Sequence, residues 1–113
     1  MDRDSIERVE IDKDCRIHVV PTTHHFPHIY RAAMEVNWSS KHRSLYSPIP
    51  REWSHTRWFE QILTAVSQEY GCNLYLTDKT DWVNVDHETI SVLQNTFGSG
   101  AQLIIQADNR PEI

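Results

Sequence analysis

From Ile6 to Val19 apolar and charged positions alternate: Val9 and Ile11 flank Glu10, while Cys15, Ile17 and Val19 are separated by Arg16 and His18, with "DKD" between the two runs. Period-two alternation marks strands with one buried face, so "IERVEIDKDCRIHVVP" predicts a β-hairpin. Pro21 ends its second strand by removing a donor from the ladder. From Pro27 the period changes. Phe26, Ile29, Tyr30, Ala33 and Met34 fall at helical spacing, which predicts a short helix over 27–35 with proline at its first position. Val36 and Trp38, then Leu45 and Tyr46, read as two short strands around a polar "SSKHR" loop, with Trp38 and Tyr46 turned inward.

The strongest helical pattern runs over 55–70. Trp58, Phe59, Ile62, Leu63, Val66 and Tyr70 make one apolar stripe, leaving His55, Gln61, Thr64, Ser67 and Gln68 towards water. Ser54 is a natural N-cap, Trp53 and Trp58 occupy the staple positions around it, and Gly71 supplies a left-handed stop. "NLYLT" and "WVNV" are strand candidates joined by the turn "DKTD". Asp86 can cap a third helix over 87–97, with Ile90, Leu93 and Phe97 on one face and Gly98 ending it. "AQLIIQA" reads as a last strand, and 108–113 as a frayed polar tail.

These elements define a single α+β domain. The expected architecture is a mainly antiparallel sheet, with one long helix (55–70) packed across it and two shorter helices (27–35 and 87–97) at its flanks. A chain of 113 residues with 39% apolar residues, four tryptophans and four tyrosines can bury a core of its own. The opening "MDRDSIERVE" has no signal-peptide pattern and no stretch nears the ~18 apolar residues of a membrane span. A cytoplasmic protein is expected, with Cys15 and Cys72 reduced and serving as small core residues.

Charge narrows the functional classes. The net charge is −5, yet residues 31–57 carry five basic side chains against two acidic ones, +3, which leaves −8 for the remainder. That segment interleaves Tyr30, Trp38, Tyr46, Trp53 and Trp58 with Arg31, Lys41, Arg43, Arg51 and Arg57. Aromatic faces beside guanidinium groups either close a core, meet a protein partner or second copy, or hold a small ligand. Tyr30, Arg31, Trp38, Trp53, Arg57 and Trp58 are therefore the candidate ligand- or partner-binding residues. Nucleic acid is not the expected partner, because the pI is near 5.7 and no helix-turn-helix, RRM or OB signature is present.

His24, His25 and His28 are the alternative. Three imidazoles within five positions, with the acidic turn around Asp78, Asp81, Asp86 and Glu88, are the donor types of a metal site or small enzyme. No HExxH or CxxC accompanies them, and Pro27 puts most of the His24/His28 pair ahead of the helix. Neither Cys72, which follows a helix-ending glycine, nor any serine sits in a nucleophile's setting. No catalytic residue, metal or cofactor is assigned.

The stretches "IYRAAMEVNW", "LYSPIPREWSHTRWFEQILTAVSQEYG" and "LYLTDKTDWVNV" resemble small bacterial proteins of the kind carried on integron gene cassettes, over roughly residues 6–90. The likeness is one of layout and aromatic placement, and it implies a compact, often self-associating α+β domain without implying an activity. Glu35 stands where such proteins would end the first helix with a small residue. The expectation is thus a non-enzymatic binding or interaction domain, working as a homodimer through the aromatic and basic segment or an exposed sheet edge.

Overall fold

The computed structural model describes residues 2–31, 35–51 and 53–97. In chain order the elements are β1 (Asp2–Ile11), β2 (Ile17–Pro21), a 3₁₀ turn (Ile29–Arg31), β3 (Asn37–Ser39), β4 (Ser44–Tyr46), α1 (His55–Tyr70), β5 (Cys72–Tyr75), β6 (Asp81–Val83) and α2 (His87–Phe97). The six strands among the described residues form one sheet in the order β3-β4-β2-β1-β5, with β6 also paired to β1.

The sheet is mixed, and this corrects the expectation of a mainly antiparallel one. β1 pairs antiparallel with β2, but along its other edge its first half pairs parallel with β5 and its second half parallel with β6. A parallel neighbour requires a long crossover, which α1 supplies between β4 and β5. Side-chain period says nothing about strand direction. The polar opening of the chain also belongs to the sheet, since Asp2, Arg3, Asp4 and Ser5 pair with Cys72, Asn73, Leu74 and Tyr75.

The expectation of three helices is corrected as well, for there are two among the described residues. Where the first helix was expected to start there is instead a 3₁₀ turn over Ile29–Arg31, closed by Ile29 N–H donating to Phe26 O (3.2 Å) and Arg31 N–H to His28 O (3.0 Å). Phe26 and Ile29, three apart, both reach the core from that one turn. His28 N–H is meanwhile taken by the Tyr70 hydroxyl at 2.8 Å. Residues 32–34, the expected strand 101–107 and the tail 108–113 lie outside the described residues.

α1 forms where its caps demand. The Ser54 hydroxyl accepts from Arg57 N–H at 3.2 Å, and Gly71, at φ 62°, lets its N–H reach Ser67 O. Trp58, Phe59, Ile62, Ala65 and Val66 are its buried face. Opposite lies a continuous row across five strands, in which Trp38 pairs with Leu45, Leu45 with Val19, Val19 with Val9, and Val9 with Trp82. Phe26, Ile29, Val36 and Leu93 close the rim of this core. No helix among the described residues is long and apolar enough to cross a membrane.

Two inward placements need correction. Cys15 is an exposed residue of the β1–β2 turn at φ 68°, a left-handed conformation, so it belongs neither to a strand nor to the core. Tyr46 is half-buried on the sheet's other face, stacked on His18. Cys72 is buried, and no disulfide joins it to Cys15.

Truncating the α1 face should therefore be costly where the same change on its solvent side is not. Ile62→Ala is expected to lower unfolding free energy by about 2–5 kcal/mol, and Thr64→Ala by less than about 0.5 kcal/mol, both read from urea titrations.

Candidate functional site

The cap of α1 builds the most distinctive surface of the molecule. With Ser54 as N-cap, Trp53 and Trp58 stand at the two staple positions, and their rings meet at 4.7 Å between centroids, tilted by 46°. The Arg57 guanidinium lies over the Trp53 ring at 4.5 Å. Trp58 is almost wholly buried, whereas Trp53 is half-buried and Arg57 exposed. Pro48 and Pro50 hold the preceding strap extended, which leaves Ile49 half-exposed and Arg51 in solvent.

The β1–β2 turn completes this surface. Asp12 Oδ1 accepts the amides of Asp14 (2.9 Å) and Arg16 (3.0 Å), fixing the turn from inside. His55, the first residue of α1, donates from Nε2 to the Cys15 carbonyl at 2.8 Å and ties the turn to the helix start. The result is an open cleft of about 770 Å³ lined by Arg16, Glu35, Pro48, Ile49, Arg51, Trp53 and Trp58. Its size falls within the range of small-molecule sites.

Of the six candidate residues, Trp53, Arg57 and Trp58 thus form one stack, and Trp53 and Trp58 line the cleft. The other three lie elsewhere. Trp38, on β3, meets Phe26 edge-on at 5.9 Å and His25 at 5.6 Å. Tyr30 and Arg31 are exposed on the 3₁₀ turn, which packs beside β3. Arg16 escaped the sequence reading because nothing in its neighbourhood connects it to a helix beginning 39 positions later; the signal available was the turn-forming "DKD" just before it.

The histidines do not converge. His24 Nδ1 lies 3.2 Å from Oδ2 of the buried Asp4, which also accepts the amides of Thr23 and His24 at 2.9 Å each. His24 is consequently half-buried beside a carboxylate and not simply in solvent, whereas His25 lies against Trp38 and His28 against Tyr30. Among the described residues no group of three or more His, Cys, Asp or Glu side chains could hold a metal ion. In the acidic turn, Asp86 Oδ1 accepts Thr89 N–H at 3.1 Å as the cap of α2, and its hydrogen bonds to Thr89 hold its carboxyl below the ordinary value.

A constellation that the sequence did not reveal lies on the sheet face away from α1. Asp12 Oδ2 is 2.8 Å from His18 Nε2, and His18 Nδ1 is 2.9 Å from the Ser44 hydroxyl. A carboxylate only accepts, so Nε2 carries a hydrogen towards Asp12, and the Ser44 hydroxyl, which can donate or accept, satisfies Nδ1 on the other side of the ring. The connectivity is that of an acid–base–hydroxyl triad, but a nucleophile must be reached by its substrate. Ser44 is 1% exposed and Tyr46 stacks on the His18 ring at 5.4 Å. The relay joins the hairpin turn to β4 and is sealed against substrate.

Fold and geometry together define a class, a small α+β protein with an open cleft lined by arginine and tryptophan and no assembled catalytic centre among the described residues. Residues 4–80 match the family described as Integron Cassette Protein Hfx_Cass5, and the chain belongs to that family. A solved structure of the integron cassette protein Hfx_Cass5, from the mobile metagenome of the North West Arm sewage outfall, is 46% identical to it. The match covers 84% of this chain and 95% of that one at a TM-score of 0.44, so the kinship rests on sequence and not on superposition. No curated protein matches the chain. The resemblance to integron-cassette proteins is thereby confirmed.

The relay predicts a pH dependence. Burial alone raises the Asp12 carboxyl, but the His18 hydrogen bond and the amides of Arg16 and Asp14 outweigh it and leave it below the ordinary 3.8. A carboxyl depressed in the folded state contributes stability that is fully present above its unfolded value and is lost as pH falls through the folded one. Urea unfolding should therefore show a drop below about pH 4 that is smaller in Asp12→Ala, where the depressed carboxyl of Asp86 remains. The Asp12→Ala variant should already be weaker by about 1–3 kcal/mol at pH 7.

Proposed function

We propose that the protein is a non-enzymatic binding domain acting through the cleft at the start of α1, and that it self-associates through the edge of its sheet. The observation that carries the first part is the Arg57–Trp53–Trp58 stack opening onto a cleft where Ile49 is half-exposed. Indole rings presented with little freedom, next to guanidinium groups, are the groups on which binding energy concentrates. Sealing Ser44 away from substrate is consistent with binding without turnover.

For self-association, β3 supports the edge of the sheet. It pairs with β4 alone among the described residues, and Tyr30 and Arg31 stand exposed beside it. Unpaired strand edges recruit further strands, and a second copy of the chain is the partner most available to do so. The cytoplasm suits the exposed thiol of Cys15, which forms no disulfide.

A thermal-shift screen of small molecules tests the cleft. A ligand at about one hundred times its Kd should raise stability by about 2.7 kcal/mol, and Trp53→Ala should abolish the effect without loss of fold. If no compound of any class stabilises the wild type, the cleft reading fails. Light scattering tests the dimer independently; a constant monomer mass up to high micromolar concentration would sink it.

A further inference from the structure

The geometry points to a small planar aromatic molecule carrying one negative charge as the ligand of the cleft, its acidic group held by Arg16 and Arg51 and its ring laid against Trp53 and Trp58. This rests on the reading of that cleft as the binding face and adds the chemistry of what enters it. A cavity of about 770 Å³ accommodates a one- or two-ring compound with room for solvent. The lining then sorts candidates by charge.

Arg51 is exposed and has no carboxylate within ion-pair distance among the described residues, while Arg16 makes only a surface contact of 3.4 Å with Asp14. Exposed pairs of that kind contribute little and yield readily to a better acceptor. A guanidinium presents a planar fork that matches a carboxylate with two parallel hydrogen bonds, and the cleft offers two such groups. Arg8 and Arg43 form surface pairs of the same kind, with Glu10 at 3.6 Å and Glu7 at 4.0 Å, but neither lines the cleft. On a chain of net charge −5, two arginines at one concave spot are a local reversal of sign, which draws in anions.

Glu35 lines the same cleft and sets the upper limit on that charge. A fixed carboxylate repels a di- or triphosphate, yet it accepts a hydrogen bond from a hydroxyl or amine on the far side of a ring. The aromatic requirement comes from the walls. Two indoles tilted by 46° offer π surface on one side, and Pro48 and Ile49 offer aliphatic surface across from the polar groups. Arg57 over Trp53 restrains that ring, so little side-chain entropy is lost on binding.

The test uses the four indole N–H resonances of the full chain by NMR, with Trp82 on β6 as the internal reference and Trp53→Phe and Trp58→Phe for assignment. The probes are 6-hydroxy-2-naphthoate, its neutral methyl ester and 2-naphthyl phosphate. The naphthoate should move the Trp53 and Trp58 signals and leave Trp82 in place. The ester and the phosphate should each bind about tenfold more weakly or worse, and Arg51→Gln should weaken the naphthoate about tenfold while leaving the ester unchanged. Arg51 is exposed, so that variant keeps the fold. An ester that equals the acid, or a naphthoate indifferent to both Arg51→Gln and Arg16→Gln, overturns the anion while the moving indoles keep the cleft. A phosphate tighter than the naphthoate overturns the limit to one charge. If neither cleft indole responds to any probe, the ligand class falls, while the cleft reading falls only if the broad thermal-shift screen is silent as well.

Discussion

The structure depends on one contact, the apolar stripe of α1 against the row that runs Trp38, Leu45, Val19, Val9, Trp82 across five strands. Phe59, Ile62 and Val66 from the helix and Val9, Val19 and Leu45 from the sheet are all fully buried. Each of these side chains is worth about 1.5–3 kcal/mol in burial, and none could satisfy itself without the other layer. Because period-two strands present their whole apolar set to one face, a slip of one residue in any of these pairings would turn that face to water. The register and the seat of α1 are thus a single constraint. Where α1 begins follows from it, and so does the place of Trp53, Arg57 and the cleft.

The other face of the sheet answers a different need. The row one position along runs Asn37, Tyr46, His18, Glu10, Val83, and at its centre His18 bridges Asp12 and Ser44. A polar group sealed within a fold must be hydrogen-bonded, and here each is: Asp12 by two amides and a ring N–H, His18 at both nitrogens, Ser44 to His18. The relay holds the hairpin turn rigidly enough for Cys15 to stay in a left-handed conformation and for His55 to reach its carbonyl. Core and relay together therefore place Arg16 beside Trp53. Neither face would do so alone.

What could be read beforehand follows the range of the forces involved. Ser54, Gly71 and Asp86 act on amides within four residues, so the ends of α1 and the start of α2 are written locally. Alternation likewise marks β1 through β6. The direction of β5 and β6 is not local, because it depends on how the α1 crossover returns the chain to β1. Phe26 and Ile29 show the limit of periodicity from another side, since two apolar residues three apart serve a single turn as well as a helix. Residues 2–5 look like a solvated terminus by composition, yet they pair with β5, and buried Asp4 is satisfied by amides from the Thr23–His24 connection. The cleft was half legible. Trp53, Arg57 and Trp58 are neighbours in sequence, whereas Arg16 and Glu35 arrive through the fold.

That division also separates stability from recognition. Phe59, Ile62 and Ser44 are buried and hold the domain together, so exchange there is expensive. Arg51 and Ile49 are the exposed residues of the cleft lining, and their replacement leaves the core row and the relay untouched. A surface substitution of that kind shifts folding by a few tenths of a kcal/mol while altering the charge and shape of the cleft directly. The domain is consequently built so that its cleft can change specificity with the scaffold unaltered: α1 and the hairpin turn fix where the walls stand, and the exposed strap from Pro48 to Arg51 decides what they face.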